Sequence, residues 1–400
     1  MEHVDVVVIG GGLCGVSVAH ALATGGNPSV LVLEQGAQLG AEASAQNAGM
    51  VRRLALDPVE RELACRSAAA MARPAFAQAL RRTGAVLAAG RDPAPLQAAV
   101  DDLENRGIPV QAMDLATLPP ALAGSPLHAA WCLPDETVAD AWGLISVLAR
   151  EARGAGAALR TGCQVQALAT HSGRVVGVHT DQGPIRADVV VLATAAWAHR
   201  QARDLGLERP LVPLARHLLL TTPHPLADPG HPWCWVDDEG VYARPEGGGW
   251  LCSPCDEAPR DPGQGPGSRG PAEPMGYALA SDALQRWFPA LGPVRFQHGW
   301  TGLRTFCPDR RPLVGLDPEL PGLAWATGFG GFGVTCSLAV GPVFADRLQG
   351  RADPALDTDA LRPGRPFPAW ELPAGSQAWW RRHGVPEPRS VRQPRSGPAP

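Results

Sequence analysis

A β-branched run, Val4 to Ile9, leads straight into Gly10-Gly11-Gly12-Leu13-Cys14-Gly15. Val16 to Ala23 continues as a helix and closes at Gly25-Gly26. Ser29 to Leu33 is a second apolar strand that ends in Glu34. Strand, glycine turn, helix and strand in so short a span define one βαβ unit and predict an α/β fold. In Gly10-x-Gly12-x-x-Gly15 the first glycine makes the tight turn. The second lets backbone N–H groups approach a pyrophosphate, and the third lets helix pack on strand. The helix N-terminus then presents its partial positive charge to the phosphate. Glu34 stands 19 residues after Gly15. A carboxylate there accepts hydrogen bonds from ribose hydroxyls and repels a 2′-phosphate.

Composition removes several alternatives. The 35 basic residues are all arginine. A chain without lysine has no Schiff-base lysine and no P-loop lysine, which excludes pyridoxal enzymes and P-loop NTPases. The net charge of −4 gives no electrostatic case for a nucleic-acid partner. Nine scattered cysteines fit a reducing compartment better than a disulfide framework. No uninterrupted apolar window reaches the length of a spanning helix, so no transmembrane segment is expected. Met1 to Asp5 carries no basic n-region, so a secretory signal is not expected. The expected location is cytoplasmic, free or peripheral at the inner face of the membrane.

Further along, Asp140 to Arg153 reads as an amphipathic helix and Ala157 to Arg160 as a strand. Val165 to Leu168 and Val175 to Thr180 flank His171-Ser172-Gly173 and pair as a hairpin. Ala187 to Ala193 is a buried strand. Leu218 to Thr222, Gly240 to Arg244 and Trp250 to Ser253 read as strands of a second sheet, and Thr335 to Leu348 as a helix opened by a glycine-rich turn. Residues 256–274, rich in Pro, Gly and charge, read as a mobile loop, and 384–400 as a disordered tail. Cys252-x-x-Cys255 lacks a second pair and reads as structural, and no His-Glu-x-x-His occurs, so no metal site is expected.

Two more clusters follow the first. One is Glu42-Ala-Ser44-Ala-Gln46-Asn47-Ala48-Gly49-Met50. The other combines Trp300-Thr-Gly302-Leu303-Arg304 with Ala326-Thr-Gly328-Phe-Gly330-Gly331-Phe332-Gly333-Val334-Thr335. With Asp188 to Trp197, these residues resemble the D-amino-acid oxidase-like family of FAD-dependent amine and amino-acid oxidoreductases, up to about residue 367. Arg216, Val241 to Pro245 and the late glycines resemble its D-arginine-type dehydrogenases, and Ala48 to Met50 its glycine oxidases. The resemblance implies a Rossmann-like FAD domain from 1–80, 140–205 and 300–367. It implies an inserted β-rich substrate domain from 81–139 and 206–299.

It also implies noncovalent FAD held by Gly10, Gly12, Leu13, Cys14, Gly15, Glu34 and Gln35 in the first cluster. Ser44, Gln46, Asn47, Ala48 and Gly49 would follow, with Val165 at the adenine and Ala193 and Trp197 beside the flavin. Gly330, Gly331, Phe332, Gly333, Val334 and Thr335 would meet the flavin's pyrimidine edge, where negative charge gathers on reduction. Arg304 would clamp a substrate carboxylate through its planar fork, aided by Tyr242 and Arg216, with Met50 packed near the flavin. Departures from the family pattern are Ala195 for a frequent glycine, Gln46 for a frequent arginine, and Phe332 for a histidine or tyrosine.

The implied reaction is oxidation of a carbon–nitrogen bond in an amino acid or amine, of the D-amino acid or glycine-like class, with hydride passing to flavin N5. The imine then hydrolyses to a 2-oxo acid and ammonia. Oxygen, a quinone or a carrier protein would accept the electrons. Two alternatives stay open at this point: a 2-hydroxy-acid dehydrogenase using the same arginine, and a non-catalytic flavin-binding subunit.

Overall fold

A computed structural model describes residues 2–26, 29–263 and 265–368. The tail expected over 384–400 lies outside the described residues. Strand β1 (Glu2–Ile9), helix α1 (Leu13–Thr24) and strand β2 (Val30–Leu33) form the expected βαβ unit. Strand β3 (Gly183–Leu192) pairs parallel with β1 on its other side, in register from Glu2↔Ile185 to Ile9↔Leu192. The sheet has eight strands, with the hairpin Val165–His171 and Arg174–Thr180 on one flank and Ala158–Arg160 at the other edge.

Further strands come from late in the chain. Strand β4 (Val212–Thr221) pairs antiparallel with β5 (Phe296–Phe306) over ten residues. Strand β6 (Leu323–Thr327) returns to the first sheet and pairs parallel with the end of β3. Helix α2 (Gly333–Leu348) then packs beside α1. The β4–β5 pair belongs to a second, ten-stranded sheet that also holds Val241–Glu246 and Gly249–Ser253. The expected class, a Rossmann-like unit with a second β-rich layer, is thus what the chain adopts. Among the described residues no helix is long and apolar enough to cross a membrane.

The core follows from period-2 alternation in strands buried on both faces. Val6, Val8, Val30, Val32 and Val191 face α1 and α2. Val7, Ile9, Leu31, Leu33 and Leu192 face the hairpin side. In the second sheet, Leu219, Ala243 and Cys252 pack under the helix Pro274–Trp287.

Residues 256–274, read from composition as loose, carry two short pairings. Ala258–Pro259 pairs with β4, and Gly270–Pro271 with β5. Charge is the reason: Asp256 accepts from the backbone N–H of His217 at 2.9 Å and meets its Nδ1 at 2.7 Å, while Glu257 ion-pairs with Arg216 at 2.8 Å. The charges that look like solvated loop residues are fixed on strand β4.

Helices α1 and α2 meet where Gly341 abuts Ser17. A Cβ on Gly341 would lie 2.1 Å from the Ser17 carbonyl oxygen, and the Gly341 N–H donates to Ser17 Oγ at 3.1 Å. Backbone cannot yield as a flexible side chain can. Gly341→Ala should therefore cost about 1–3 kcal/mol or more. Gly154→Ala, where no atom lies within 4 Å of the new methyl, should be neutral or stabilising. Thermal unfolding of both variants checks this; equal midpoints would refute the close-approach account.

Candidate active site

A cavity of about 420 Å³ opens where β1, β2, β3 and β6 end. Gly10, Gly12, Leu13 and Cys14 line one wall, with Glu34 and Gln35 beyond them. The glycines are required by geometry. Gly10 has φ +107°, and a Cβ there would lie 2.5 Å from the Ala193 carbonyl oxygen. Gly15 stands behind this wall, where a Cβ would come 2.0 Å from Gly10 O, so it serves helix–strand packing. Glu34 accepts from the Gly11 and Gly36 N–H groups, both at 2.8 Å. Burial pushes its carboxyl pKa up, against the downward pull of those two N–H groups.

Ser44 and Asn47 line the cavity from the second cluster, and Ser44 Oγ accepts from the Leu13 N–H at 3.0 Å. Glu42 and Ala43 line it as well, while Gln46, Ala48, Gly49 and Met50 lie behind the lining. Gln46 is buried beside Glu42, toward which its Nε2 donates at 3.3 Å, and its carbonyl oxygen accepts from Arg304. The Ala48 carbonyl accepts from Arg244 Nε at 2.6 Å. Gly49, at φ +69°, tucks against Ala139 O, where a Cβ would be 2.5 Å away. Two arginines of the second sheet thus hold this loop by its carbonyls.

Val165, Ala193, Trp197, Gly330, Gly331, Gly333, Val334 and Arg304 complete the expected lining. Phe332 and Thr335 do not reach the cavity. Phe332 lies 4.6 Å from the Arg52 guanidinium, and Thr335 Oγ1 donates to Met50 O at 3.2 Å. Helices α1 and α2 both begin at this cavity, and neither N-cap residue, Gly12 or Phe332, caps its helix with a side chain. Their N-terminal N–H groups and dipoles therefore favour negative charge from two directions.

The chain also lines the cavity with Thr194, Arg200, Gln201, Asp204, Thr305 and Thr327, none of which the sequence singled out. Arg200, Gln201 and Asp204 sit on a short helix, Ala198–Asp204, with no motif of its own. The signal that existed was their position just after β3, the strand whose end faces the ligand. Ala195, noted as an alanine in place of glycine, lines the cavity with φ +44°.

The substrate-side expectations rest on strand register. Leu214 pairs with Arg304, Arg216 with Gly302, and Leu218 with Trp300. Leu220 pairs with Leu251, which pairs with Arg244 two residues from Tyr242. Alternation therefore puts Arg216, Arg304 and Tyr242 on one face of the second sheet. That face packs against Ala48 and Met50, with Tyr242 buried at its centre. The Tyr242 ring lies 4.8 Å from Trp235. Burial pushes the Tyr242 phenol up to about 12 and the Arg304 guanidinium down to about 10. Among the described residues Arg304 meets backbone carbonyls, Leu303 O at 3.1 Å and Gln46 O, and no carboxylate. Arg304 reaches the cavity itself; Arg216, Tyr242 and Met50 stand behind it.

The glycine-lined wall, the Glu34 carboxylate and two helix N-termini make a site suited to a large anionic dinucleotide. A family model described as FAD dependent oxidoreductase, DAO, matches residues 5–347. The chain belongs to that family of FAD-dependent oxidoreductases. A D-amino acid dehydrogenase of Paramagnetospirillum magneticum is 32% identical over 231 residues, which is 57% of this chain and 52% of that protein. The match spans about half the length of that curated relative. L-proline dehydrogenase from P. horikoshii shares the fold with a TM-score of 0.79 at 24% identity, over 90% of this chain and 97% of that one. Glycine oxidase from Geobacillus kaustophilus does so with a TM-score of 0.75 at 24% identity, over 91% and 99%.

A left-handed alanine at the cavity is strained relative to glycine. Ala195→Gly should raise unfolding stability by about 1 kcal/mol, after the entropy that glycine returns to the unfolded chain. An unchanged or lower denaturation midpoint would contradict this.

Proposed function

We propose that the enzyme binds FAD noncovalently and uses it to oxidise the carbon–nitrogen bond of an amino acid or amine. The observation that carries this is Arg304, a buried guanidinium at the cavity that no carboxylate of the described residues neutralises. A buried charge of that kind calls for an anionic partner, and a planar fork suits a substrate carboxylate. When bound, FAD supplies the oxidising equivalent by accepting a hydride at N5.

The chain's own residues hold and orient. Gly10, Gly12, Leu13 and Ser44 would hold the pyrophosphate, Glu34 the ribose, and the Gly330–Val334 turn the flavin's pyrimidine edge. Arg304 would fix the carboxylate, with Tyr242 beside it, so that catalysis is largely positioning. The Leu218, Trp235, Leu251 and Trp300 side chains around Tyr242 exclude water from that side. A neutral amine requires no protein base. The imine product then takes up water to give a 2-oxo acid and ammonia. Noncovalent attachment is supported by the absence of His and Cys between Gly36 and Val51. Cys14, a lining thiol, is pushed up to about 12 by burial and stays protonated.

A dehydrogenase is favoured over an oxidase. No lysine exists to stabilise superoxide, and the Arg52 cation beside Phe332 is paired with Asp237.

Purified protein should be yellow, release its flavin on acid precipitation, and bleach anaerobically with amino acids but not with 2-hydroxy acids. The bleached protein should re-yellow faster with a quinone than with air. Bleaching by hydroxy acids alone would select the hydroxy-acid dehydrogenase instead, and no bleaching by either would select the non-catalytic subunit.

Arg304→Lys should keep FAD, seen in the visible spectrum, while weakening a carboxylate ligand about tenfold or more, since lysine lacks the fork. Wild-type affinity for a carboxylate should hold from neutral pH to about pH 10 and fall above it, as burial makes the charged Arg304 that binds the ligand easier to deprotonate. Unaltered binding in the variant would reject the carboxylate assignment.

A further inference from the structure

Glu257 leaves the end of the Gly249–Ser253 strand and turns back to the site face. Its Oε1 accepts from Arg216 Nη2 at 2.8 Å, and its two oxygens accept from Arg310 at 2.8 and 2.5 Å. The Arg216 and Glu257 side chains are 9% and 17% exposed, so solvent screens their attraction little. The Arg310 side chain is 48% exposed and its charge is largely screened. Arg216 in turn stands directly behind the cavity wall. A Cβ on Gly331 would lie 3.7 Å from Arg216 Nη1, and Gly331 lines the cavity.

Arg216 and Arg304 are diagonal neighbours across the β4–β5 ladder, since Leu214 pairs with Arg304 and Arg216 with Gly302. Such positions lie about 7–8 Å apart on one face, within joint reach of two long side chains. One of these guanidiniums is neutralised from within the protein and the other is not.

We infer that Glu257 is a specificity-determining residue that neutralises Arg216 and restricts the site to substrates with a single carboxylate. This rests on the reading that Arg304 holds the substrate carboxylate. Glu257 acts through Arg216, as a positioning residue. An amino acid with an acidic side chain would bring a second carboxylate toward Arg216, where it meets the fixed charge of Glu257. With that charge removed, Arg216 becomes a second anion subsite on the same face, and the acidic class is admitted.

The test uses the holoenzyme and two probes of equal carbon number, butyrate and succinate, titrated against the flavin's visible spectrum. Wild type should favour butyrate. Glu257→Gln should shift the butyrate-to-succinate ratio of dissociation constants toward succinate by about tenfold or more, the worth of one charged hydrogen bond. A purely structural role would weaken both ligands together and leave the ratio alone. Arg310→Gly removes the second claimant on Glu257 at a residue with φ +63°, where glycine fits. It should move the ratio the other way, against succinate. An unchanged ratio in both variants overturns the role of Glu257 while leaving Arg304 in place. If wild type binds neither probe, the carboxylate reading fails and this inference with it.

Discussion

The antiparallel seam between β4 and β5 is the contact on which the site depends. Ten residues pair along it, and the end of β5 runs out of the second sheet into the cavity wall at Leu303, Arg304 and Thr305. The same ladder sets which side chains face the FAD domain. A slip of one residue would turn Arg304 away and bring Leu303 to the site face. Gly302 opposite Arg216 leaves the space that Gln46 and the Arg304 guanidinium need. A Cβ there would lie 2.9 Å from Gln46 Cβ and from Gln46 O, and 3.1 Å from Arg304 Nη1. Register, glycine and charge are thus one constraint.

Arginine suits this architecture in ways lysine would not. Arg209 is buried and binds Asp317 through Nε at 3.0 Å and Nη2 at 2.8 Å, a forked contact that ties the chain before β4 to the turn before β6. Asp317 also accepts from the Trp325 indole at 2.8 Å. Arg365 grips Asp309 in the same manner, at 2.7 and 2.9 Å. Each pair fixes orientation as well as charge, because a guanidinium offers two parallel donors. Arg304 and Arg244 each donate to a carbonyl of the Gln46–Ala48 loop, which holds its shape.

The cofactor half of the site was legible in sequence because local rules govern it. Val6 to Glu34 carries strand, turn and helix signals within one βαβ unit, and the glycine at 10 is demanded by the turn itself. Phe296–Phe306 was harder: Trp300 to Arg304 stood out as a motif, yet Gly299 and Gly302 interrupt the alternation that marks a strand. Arg200, Gln201 and Asp204 carry no local pattern, since only the end of β3 brings them to the cavity. The pairing of Glu257 with Arg216 joins residues 41 positions apart. Composition there spoke for a loop, and nothing local records a partner on another strand. Their clusters point Gln46 and Phe332 at the cavity, but backbone direction in a turn decides which side chains reach it.

The close fit of α1 against α2 has a consequence for how the chain comes to be folded. Gly341 and Ser17 are 324 positions apart, and β6 joins β3 only after the whole second sheet has been synthesised. The N-terminal βαβ unit therefore leaves the ribosome with one face of α1 bare, and nearly the entire chain must follow before its partner arrives. Non-local closure of this kind is slow and exposes apolar surface meanwhile. A ligand whose contacts draw on the first, middle and last segments alike binds only after that closure. It then stabilises the assembled state by mass action, so the three segments are held together more firmly with the ligand than without it.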